Sequence, residues 1–234
     1  MLNLSQLVAL DHPFQMGTAT EVFEPAFYEE LVQTFPPVVL AQRTGTISYG
    51  LKYSISPEHE AKQFYGFLKT APAWQRFHDQ VATGEWLNRF ALPDALYFIR
   101  FEFSFLPWEN GVLLPHRDAP PKILALVLPM TLEYEPEWGG STEMLEANCP
   151  VGDHLEPFDK FDIAFSAPFK PRSANFLVRS NNSWHGVRCH GPKDKYRKSI
   201  TLNLVGAEYV KYQETAEAEY WRWTQPANRP AHQL

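Results

Sequence analysis

The sequence predicts a mainly β fold, an antiparallel sandwich or barrel with helices on its flanks. Short apolar or alternating runs follow one another from residue 97 to residue 205, with turn-forming residues between them. No helical pattern interrupts these runs. Many short strands without intervening helices favour an antiparallel architecture, of which the eight-stranded jelly roll is one solution.

Residues 1–93 are predicted to be mainly helical. Apolar residues recur at three-and-four spacing over 23–35, and the Pro-Pro pair that follows ends this pattern because proline cannot continue a helix. Ser56 and Pro57 begin a second helix, since serine caps free amide groups and proline fits the first helical position. Aromatic residues over 74–90 indicate one or two further helices with these side chains in the core.

Strands are predicted where apolar and polar residues alternate with a period of two, which directs one face inward. The pattern is clear over 97–105, where the phenylalanines are predicted to line or back a cavity or to form plain core. An earlier strand is predicted over 47–55, and a last helix over 209–223. The remaining strand candidates are residues 111–115, 123–128, 141–145, 161–165, 175–178 and 199–205.

The length and the net charge limit the domain organisation and the partners that can be expected. The chain has 234 residues, 44% hydrophobic and 15% aromatic, which suffices to bury one sizeable core without a division into two domains. We predict a single domain over 1–234, with helical support over 1–93, a jelly-roll core over 95–206 and a helix with a tail over 207–234. The net charge of -6 provides no general positive field for a phosphate backbone, so nucleic acid is not an expected partner.

The sequence shows no pattern typical of export or membrane insertion. Its amino terminus lacks the basic start and apolar run of a secretion signal, and nowhere do about 18 apolar residues follow one another. The two cysteines, Cys149 and Cys189, form neither a C-x-x-C pair nor a disulfide framework. We therefore expect a cytoplasmic protein without a membrane partner. Its oligomeric state is not predicted.

A candidate metal site begins in the segment LLPHRDAPP, where His116 and Asp118 are two residues apart at the end of an apolar run. Side chains at i and i+2 of an extended chain point to the same side, so an imidazole and a carboxylate can converge on one cation. The H-x-D pattern alone is a weak signal, because three-residue patterns arise by chance and a surface ion pair also explains it.

A third ligand is available in the segment RSNNSWHGV, which places His185 after a turn, 67 residues beyond Asp118. Two histidines and one carboxylate on one face of an octahedron leave three positions open, as in non-haem iron(II) oxygenases. Zinc more usually takes a closed set of four ligands. His190, five residues further on, is the main rival for this role.

The segment KYRKSITLNLV adds a candidate anion site twelve residues past His185. Arg197 and Ser199 share one face of this predicted strand, and Ile200 and Leu202 lie on the other side of the alternation. A guanidinium can grip a carboxylate with two parallel hydrogen bonds, and a neighbouring hydroxyl can add a third. The alternative is an arginine in a surface ion pair.

Taken together, these elements resemble the iron(II)- and 2-oxoglutarate-dependent oxygenase superfamily, in its prolyl-hydroxylase-like branch. The resemblance covers residues 95–206 and rests on PHRD at 115–118, WGGSTEML at 138–145, SWHGV at 183–187 and R-x-S at 197–199. Each motif is short, but their joint occurrence in register is far rarer by chance than any one of them. The neighbours of His185 fit the family pattern, whereas His190 precedes the loop sequence GPKDK, so we prefer His185.

The resemblance implies a double-stranded β-helix in which His116, Asp118 and His185 bind iron(II) and form the catalytic centre. Arg197 would bind the C5 carboxylate of 2-oxoglutarate, the co-substrate, with Ser199 as a helper. Dioxygen is the second co-substrate, and ascorbate is a candidate reductant.

The same resemblance gives expectations about the reaction. Related halogenases replace the carboxylate ligand with a small residue, so the presence of Asp118 favours hydroxylation of an aliphatic C–H. The substrate is expected to be a small molecule, an amino acid or a peptide side chain. Gly139 and Gly140 are expected to be structural, at the start of a core strand. Neither Tyr97 nor Lys122 is assigned a role.

Three other function classes stay open at this stage. A cupin-like metal enzyme would use the same sheets without 2-oxoglutarate, although cupins usually present more histidines and a glutamate. A binding module would recognise a ligand without chemistry, and an absence of tight iron binding would favour it. A nucleic-acid demethylase of the same superfamily conflicts with the net negative charge.

Overall fold

The computed structural model describes residues 2–44, 51–92, 97–152 and 155–206. These residues form twelve strands and three α-helices, together with short 3-10 turns. In chain order the elements are β1 (Val8–Leu10), β2 (Met16–Ala19), α1 (Pro25–Gln33), β3 (Gln42–Arg43), β4 (Tyr53–Ile55), α2 (Pro57–Thr70), α3 (Pro72–Ala82), β5 (Tyr97–Pro107), β6 (Val112–His116), β7 (Lys122–Pro129), β8 (Gly139–Ala147), β9 (Phe161–Ala167), β10 (Ala174–Val178), β11 (His185–Cys189) and β12 (Tyr196–Gly206).

The strands form two antiparallel sheets. The large sheet has eight strands in the order β1-β2-β10-β7-β12-β5-β4-β3, and the small sheet has four in the order β6-β11-β8-β9. From β5 onward the chain therefore passes repeatedly between the sheets, with β5, β7, β10 and β12 in the large sheet and the other four strands in the small sheet. The prediction of a mainly β, antiparallel fold with flanking helices is confirmed.

One face of the large sheet packs against the helices. The phenylalanines of β5 meet helical aromatics edge to face, with ring centroids 4.9 Å apart for Phe103 and Trp74 and 5.7 Å apart for Phe101 and Phe77. Leu202 of β12 pairs with Phe101 and belongs to the same apolar core. These phenylalanines are therefore core between the sheet and the helices and do not line the space between the two sheets.

The opposite face of the large sheet points towards the small sheet. Ala125 of β7 and Leu177 of β10 form one apolar cluster with Met144 and Ala167, which lie on β8 and β9. Because successive side chains of a strand alternate, the β5 and β12 residues between the core positions face the same inner space. This inner face of β5 and β12 is largely polar and includes Arg100, Glu102, Ser104, Arg197, Ser199, Thr201 and Asn203.

The helices begin where the sequence predicts. Pro25 is the first residue of α1, and the Glu24 side chain caps it by accepting a 3.2 Å hydrogen bond from the Phe27 amide. Ser56 stands at the cap position of α2 with Pro57 behind it, but its hydroxyl makes no capping hydrogen bond. The fit of proline at the first position therefore sets the start of α2, and the expected serine cap is wrong.

Other differences concern short or terminal segments. The strands β1 and β2 were not expected in the helical region, because segments of three and four residues carry too little periodicity to recognise. Of the strand predicted over 47–55, the described part is β4; residues 45–50 lie outside the described residues. The helix predicted over 209–223 also lies outside them. No helix in the described part of the chain is long and apolar enough to span a membrane.

Candidate metal centre

The two predicted histidine ligands face each other across neighbouring strands. His116 is the last residue of β6 and His185 the first of β11, and the two are direct partners in the antiparallel pairing. Their ring centroids are 4.3 Å apart. Strand pairing therefore brings together two imidazoles that are 69 positions apart in the sequence.

Asp118 completes the cluster from the turn that follows β6. Its carboxylate and the two imidazoles each offer one ligand atom, and these three atoms all lie within 4.8 Å of one another. Within the described residues, no second group of three or more His, Cys, Asp or Glu side chains has this geometry. His190, the rival, lies beyond the far end of β11 and does not join it.

Backbone carbonyls fix the orientation of both imidazoles. His116 Nδ1 lies 2.8 Å from the Leu114 carbonyl oxygen, and His185 Nδ1 lies 3.0 Å from that of Ser183. A carbonyl oxygen only accepts, so Nδ1 of each ring donates and Nε2 is left with its lone pair. Nε2 is thus the nitrogen that each ring can offer to a metal, and a hydrogen bond from the other ring nitrogen to a carbonyl is typical of histidines that bind metals.

Burial and neighbouring charge keep all three groups in the protonation state that a metal requires. Burial lowers the pKa of His116 to about 3, helped by the neighbouring His185, and burial also lowers the pKa of His185. Burial by itself would raise the pKa of Asp118, but the Lys122 ammonium and the two imidazoles outweigh it and hold this pKa well below its usual range. Two neutral imidazoles and one carboxylate are therefore present at neutral pH.

Lys122 is a site residue that the sequence analysis left out. It is the first residue of β7, and its Nζ lies 2.6 Å from Oδ1 of Asp118. The ammonium thus occupies one carboxylate oxygen and leaves the other for a cation. The only sequence signal is the four-residue spacing from Asp118, which a solvated turn lysine would share.

The donor set fits iron(II). One carboxylate and two imidazoles are the facial triad of non-haem iron oxygenases, and they leave coordination positions open for other molecules. A structural zinc site would need a fourth ligand. Within the described residues no cysteine belongs to the cluster.

Arg197 lies on the inner face of β12, as predicted, and is 5% exposed. Its Nε donates a 2.7 Å hydrogen bond to the Gly140 carbonyl, and the guanidinium carbon lies 4.1 Å from the ring centroid of Phe169. In the part of the chain that the structure describes, this guanidinium meets a carbonyl and a ring but no carboxylate. Burial lowers its pKa to about 10, so it stays charged at neutral pH and is available to an anion.

Ser199 is buried on the same face, two residues from Arg197. It pairs with Ser104 of β5, which pairs in turn with Ser54 of β4, so three serines form one row across the large sheet. The alignment of these three serines could not be predicted, because cross-strand register cannot be read from the sequence of one strand.

Gly139 and Gly140 begin β8 and have φ values of 69° and 73°, which side chains other than glycine rarely adopt. A Cβ on Gly140 would also lie 2.5 Å from the Trp108 ring. The expected structural role is confirmed, and Gly140 additionally supplies the carbonyl that holds Arg197.

Solved structures share this fold. A prolyl hydroxylase from Trichoplax adhaerens, in complex with a hypoxia inducible factor oxygen degradation domain peptide fragment, aligns at a TM-score of 0.59 and 10% identity, over 84% of this chain and 86% of that chain. HygX from Streptomyces hygroscopicus, with nickel and 2-oxoglutarate bound, aligns at 0.53 and 10% identity, over 82% and 83%. No protein-family model and no curated protein sequence matches the chain. The resemblance predicted from the motifs is confirmed at the level of the fold.

Proposed function

We propose that the protein is an iron(II)- and 2-oxoglutarate-dependent dioxygenase that hydroxylates an aliphatic C–H of a small molecule, an amino acid or a peptide side chain. The observation that carries the proposal is that a metal-binding cluster and a buried cation face the same space between the two sheets. The cluster of His116, Asp118 and His185 lies at one end, and the buried guanidinium of Arg197 lies further in without a carboxylate partner among the described residues.

The strand arrangement supports a double-stranded β-helix as the frame of this site. Strands β5 to β12 divide equally between the two sheets, and the first and last of them in the chain, β5 and β12, pair along eleven positions. We infer one oxygenase domain over residues 1–234, with the helices before residue 93 backing the large sheet. The fold alone does not fix the reaction, which rests on the side chains.

Each polar group on the inner face has a task in this proposal. When bound, iron(II) supplies the oxidative decarboxylation of 2-oxoglutarate by dioxygen, which yields succinate, carbon dioxide and a hydroxylated substrate. His116, Asp118 and His185 would hold the metal through one atom each. Lys122 keeps the Asp118 carboxylate charged and fixed in orientation.

The distal carboxylate of 2-oxoglutarate would bind Arg197, with Ser199 adding a hydroxyl donor. Arg197 donates to the Gly140 carbonyl, and the adjacent Gly139 pairs with Cys189, which is four residues along β11 from His185, roughly 13 Å of strand. The carbon chain of 2-oxoglutarate spans only about 5 Å, so the metal coordination at one end and the hydrogen bonds to the guanidinium at the other would cover the rest of this distance. The burial of Arg197 and His185 also excludes water, which strengthens each charge interaction. The neighbour HygX, whose structure holds nickel and 2-oxoglutarate, supports this assignment.

The test measures succinate and co-substrate binding separately. The protein with iron(II), ascorbate and 2-oxoglutarate should release succinate, and the nickel-loaded protein should bind 2-oxoglutarate in a calorimeter. Asp118→Ala should reduce succinate release to background while the protein stays folded. Asp162→Ala, on the exposed side of β9, is the matched control and should change nothing.

The outcomes separate the open alternatives. Metal binding without 2-oxoglutarate binding would favour a cupin-like metal enzyme. Failure to bind iron would favour a ligand-binding sandwich. Either result rejects the dioxygenase proposal.

A further inference from the structure

Two asparagines on the inner face of the large sheet carry unused hydrogen-bonding groups. Asn175 of β10 is 1% exposed and Asn203 of β12 is 2% exposed. Within the described residues, neither Nδ2 nor Oδ1 of Asn175 has a hydrogen-bond partner, and Oδ1 of Asn203 has none. A buried polar group without a partner destabilises the fold, because it has lost its hydrogen bonds to water and gained none in exchange. Such groups therefore indicate that something else satisfies them.

Both side chains point into the space between the sheets. Asn175 alternates with Phe176, which meets Phe90 on the helix side, and shares its face with Leu177 of the inner apolar cluster. Asn203 alternates with Leu202 and Leu204, which belong to the core beneath the helices.

Strand register places Asn203 near the metal cluster, because Val205, two residues further along β12, pairs with Lys122, whose Nζ contacts Asp118. Asn203 pairs with Ala125 of β7, and Ala125 packs in one cluster with Met144, the β8 partner of His185. Asn203 is thus in the same layer as a metal ligand. Asn175 pairs with Val127, which lies two residues along β7 and therefore in the adjacent row.

The strand between the asparagines leaves room for a ligand. β7 separates β10 from β12, so the two asparagines are two strand spacings apart across the sheet and two residues apart along it, roughly 12 Å in all. The residues of β7 between them are Ala125 and Val127, which are small.

The charged neighbours in these rows already have partners. Glu102 lies in the row of Asn175 and accepts a 2.6 Å hydrogen bond from Lys52 Nζ. Arg100 lies in the row of Asn203 and pairs with Glu58. The amides are therefore the unsatisfied groups, and they suit a ligand group that is polar but uncharged.

The bound co-substrate cannot fill this need. 2-Oxoglutarate carries only acceptor oxygens at neutral pH, whereas the Oδ1 atoms of both asparagines require a donor. For Asn175 both ends of the amide are unpaired, so the conclusion does not depend on which end is oxygen. A ligand group that carries both a donor and an acceptor would satisfy it.

We propose that Asn175 and Asn203 bind the substrate through an amide group, either a peptide bond or a primary carboxamide, and hold it beside the metal. The proposal rests on the proposed function and names the substrate class for it. Free amino acids, whose charged ends would face two neutral amides, are expected to bind poorly.

The probes are the twenty N-acetyl amino acid N-methylamides and the corresponding free amino acids. Binding to the nickel-loaded protein saturated with 2-oxoglutarate is measured by calorimetry, and stimulated succinate release is measured with iron(II). At least one amide should bind and stimulate release, at least tenfold more tightly than its free amino acid.

The variant Asn175→Leu keeps the shape of the side chain and removes both unused groups. It should weaken amide binding at least tenfold, leave the affinity for 2-oxoglutarate within about twofold, and raise Tm by roughly 2–4 °C because the unsatisfied groups are gone. Asn203→Leu provides a second, independent variant. Ser173→Ala is the control, since this equally buried hydroxyl donates to the Lys170 carbonyl outside the site.

Four results would overturn the proposal. They are equal or better binding of the free amino acids, no binding by any amide, unchanged amide binding in both leucine variants, and a loss of 2-oxoglutarate affinity in place of amide affinity. Unchanged binding would mean that buried water satisfies the asparagines. If the wild-type protein fails to bind 2-oxoglutarate at all, the proposed function fails too, a result that the co-substrate titration identifies by itself.

Discussion

The two faces of the large sheet use the same strands for opposite purposes. On β5, Phe101 and Phe103 face the helices and are 2% and 0% exposed, while Glu102 between them faces the small sheet. On β12, Leu202 and Leu204 belong to the helix-side core, and Asn203 between them does not. The helix-side face therefore provides packing, and the inner face carries the groups of the proposed site. Substitutions at adjacent residues should accordingly impair either stability or ligand binding.

The largest expected effect contrasts two adjacent residues of β5. Phe103→Ala should lower the free energy of unfolding by roughly 3–5 kcal/mol, because it opens a cavity among Trp74, Phe35 and Phe64. Ser104→Ala should change it by less than about 1 kcal/mol. Urea unfolding monitored by tryptophan fluorescence measures both. Equal losses in the two variants would contradict the division between the faces.

Arg197→Met should impair co-substrate binding without lowering stability, the reverse of the effect expected for Phe103→Ala. Loss of the charge-assisted, bidentate contact with a carboxylate should weaken 2-oxoglutarate binding to the nickel-loaded protein by roughly 2–3 kcal/mol, which is about 30- to 150-fold in Kd. Stability should stay the same or rise, because a buried guanidinium without a carboxylate partner is replaced by an apolar chain. Calorimetric titration and thermal unfolding provide the two readouts. A large loss of stability with unchanged Kd would show that Arg197 serves the fold.

A smaller contrast is expected between Ser199 and Ile200, which are adjacent on β12 and face opposite sides of the sheet. Ser199→Ala should weaken 2-oxoglutarate binding by about 1 kcal/mol, the value of one hydrogen bond, with little effect on unfolding. Ile200→Val, on the helix side, should lower the free energy of unfolding by roughly 0.5–1.5 kcal/mol and leave the co-substrate affinity unchanged. The same titrations and denaturation curves test both, and an exchange of the two phenotypes would reverse the assignment of faces.

The smallest effect concerns acid stability on the helix-side face. Burial between Phe64 and Phe101 lowers the pKa of His78 below its ordinary value of 6.5. The folded protein therefore binds fewer protons at this site than the unfolded chain, so stability is full above about pH 6.5 and declines as the pH falls below it. His78→Gln should flatten this decline in urea midpoints measured from pH 7.5 to pH 5.5. The exposed His190→Gln is the control and should not alter the slope.

The sequence predicts those features that depend on residues close together in the chain. Alternation over 97–105 predicts the strand, and the i, i+2 spacing of His116 and Asp118 predicts two of the three ligands of the metal cluster. The motif around His185 supplies the third. By contrast, the contact of Lys122 with Asp118 and the position of Asn175 depend on strand register and turn geometry. Several residues on each strand satisfy the alternation equally, so only the pairing selects among them.

The pairing of His116 with His185 has a consequence for the small sheet itself. β6 is a terminal strand of that sheet, with β11 as its one strand neighbour among the described residues, and a bulge interrupts the pairing between His185 and Val187. A cation bound to both imidazoles would crosslink the two strands at this irregular pairing, because it would join His116, the last residue of β6, to His185 of β11. Removing the metal should therefore loosen β6 first, and its amide hydrogens should exchange with solvent sooner than those of β8 in the middle of the sheet.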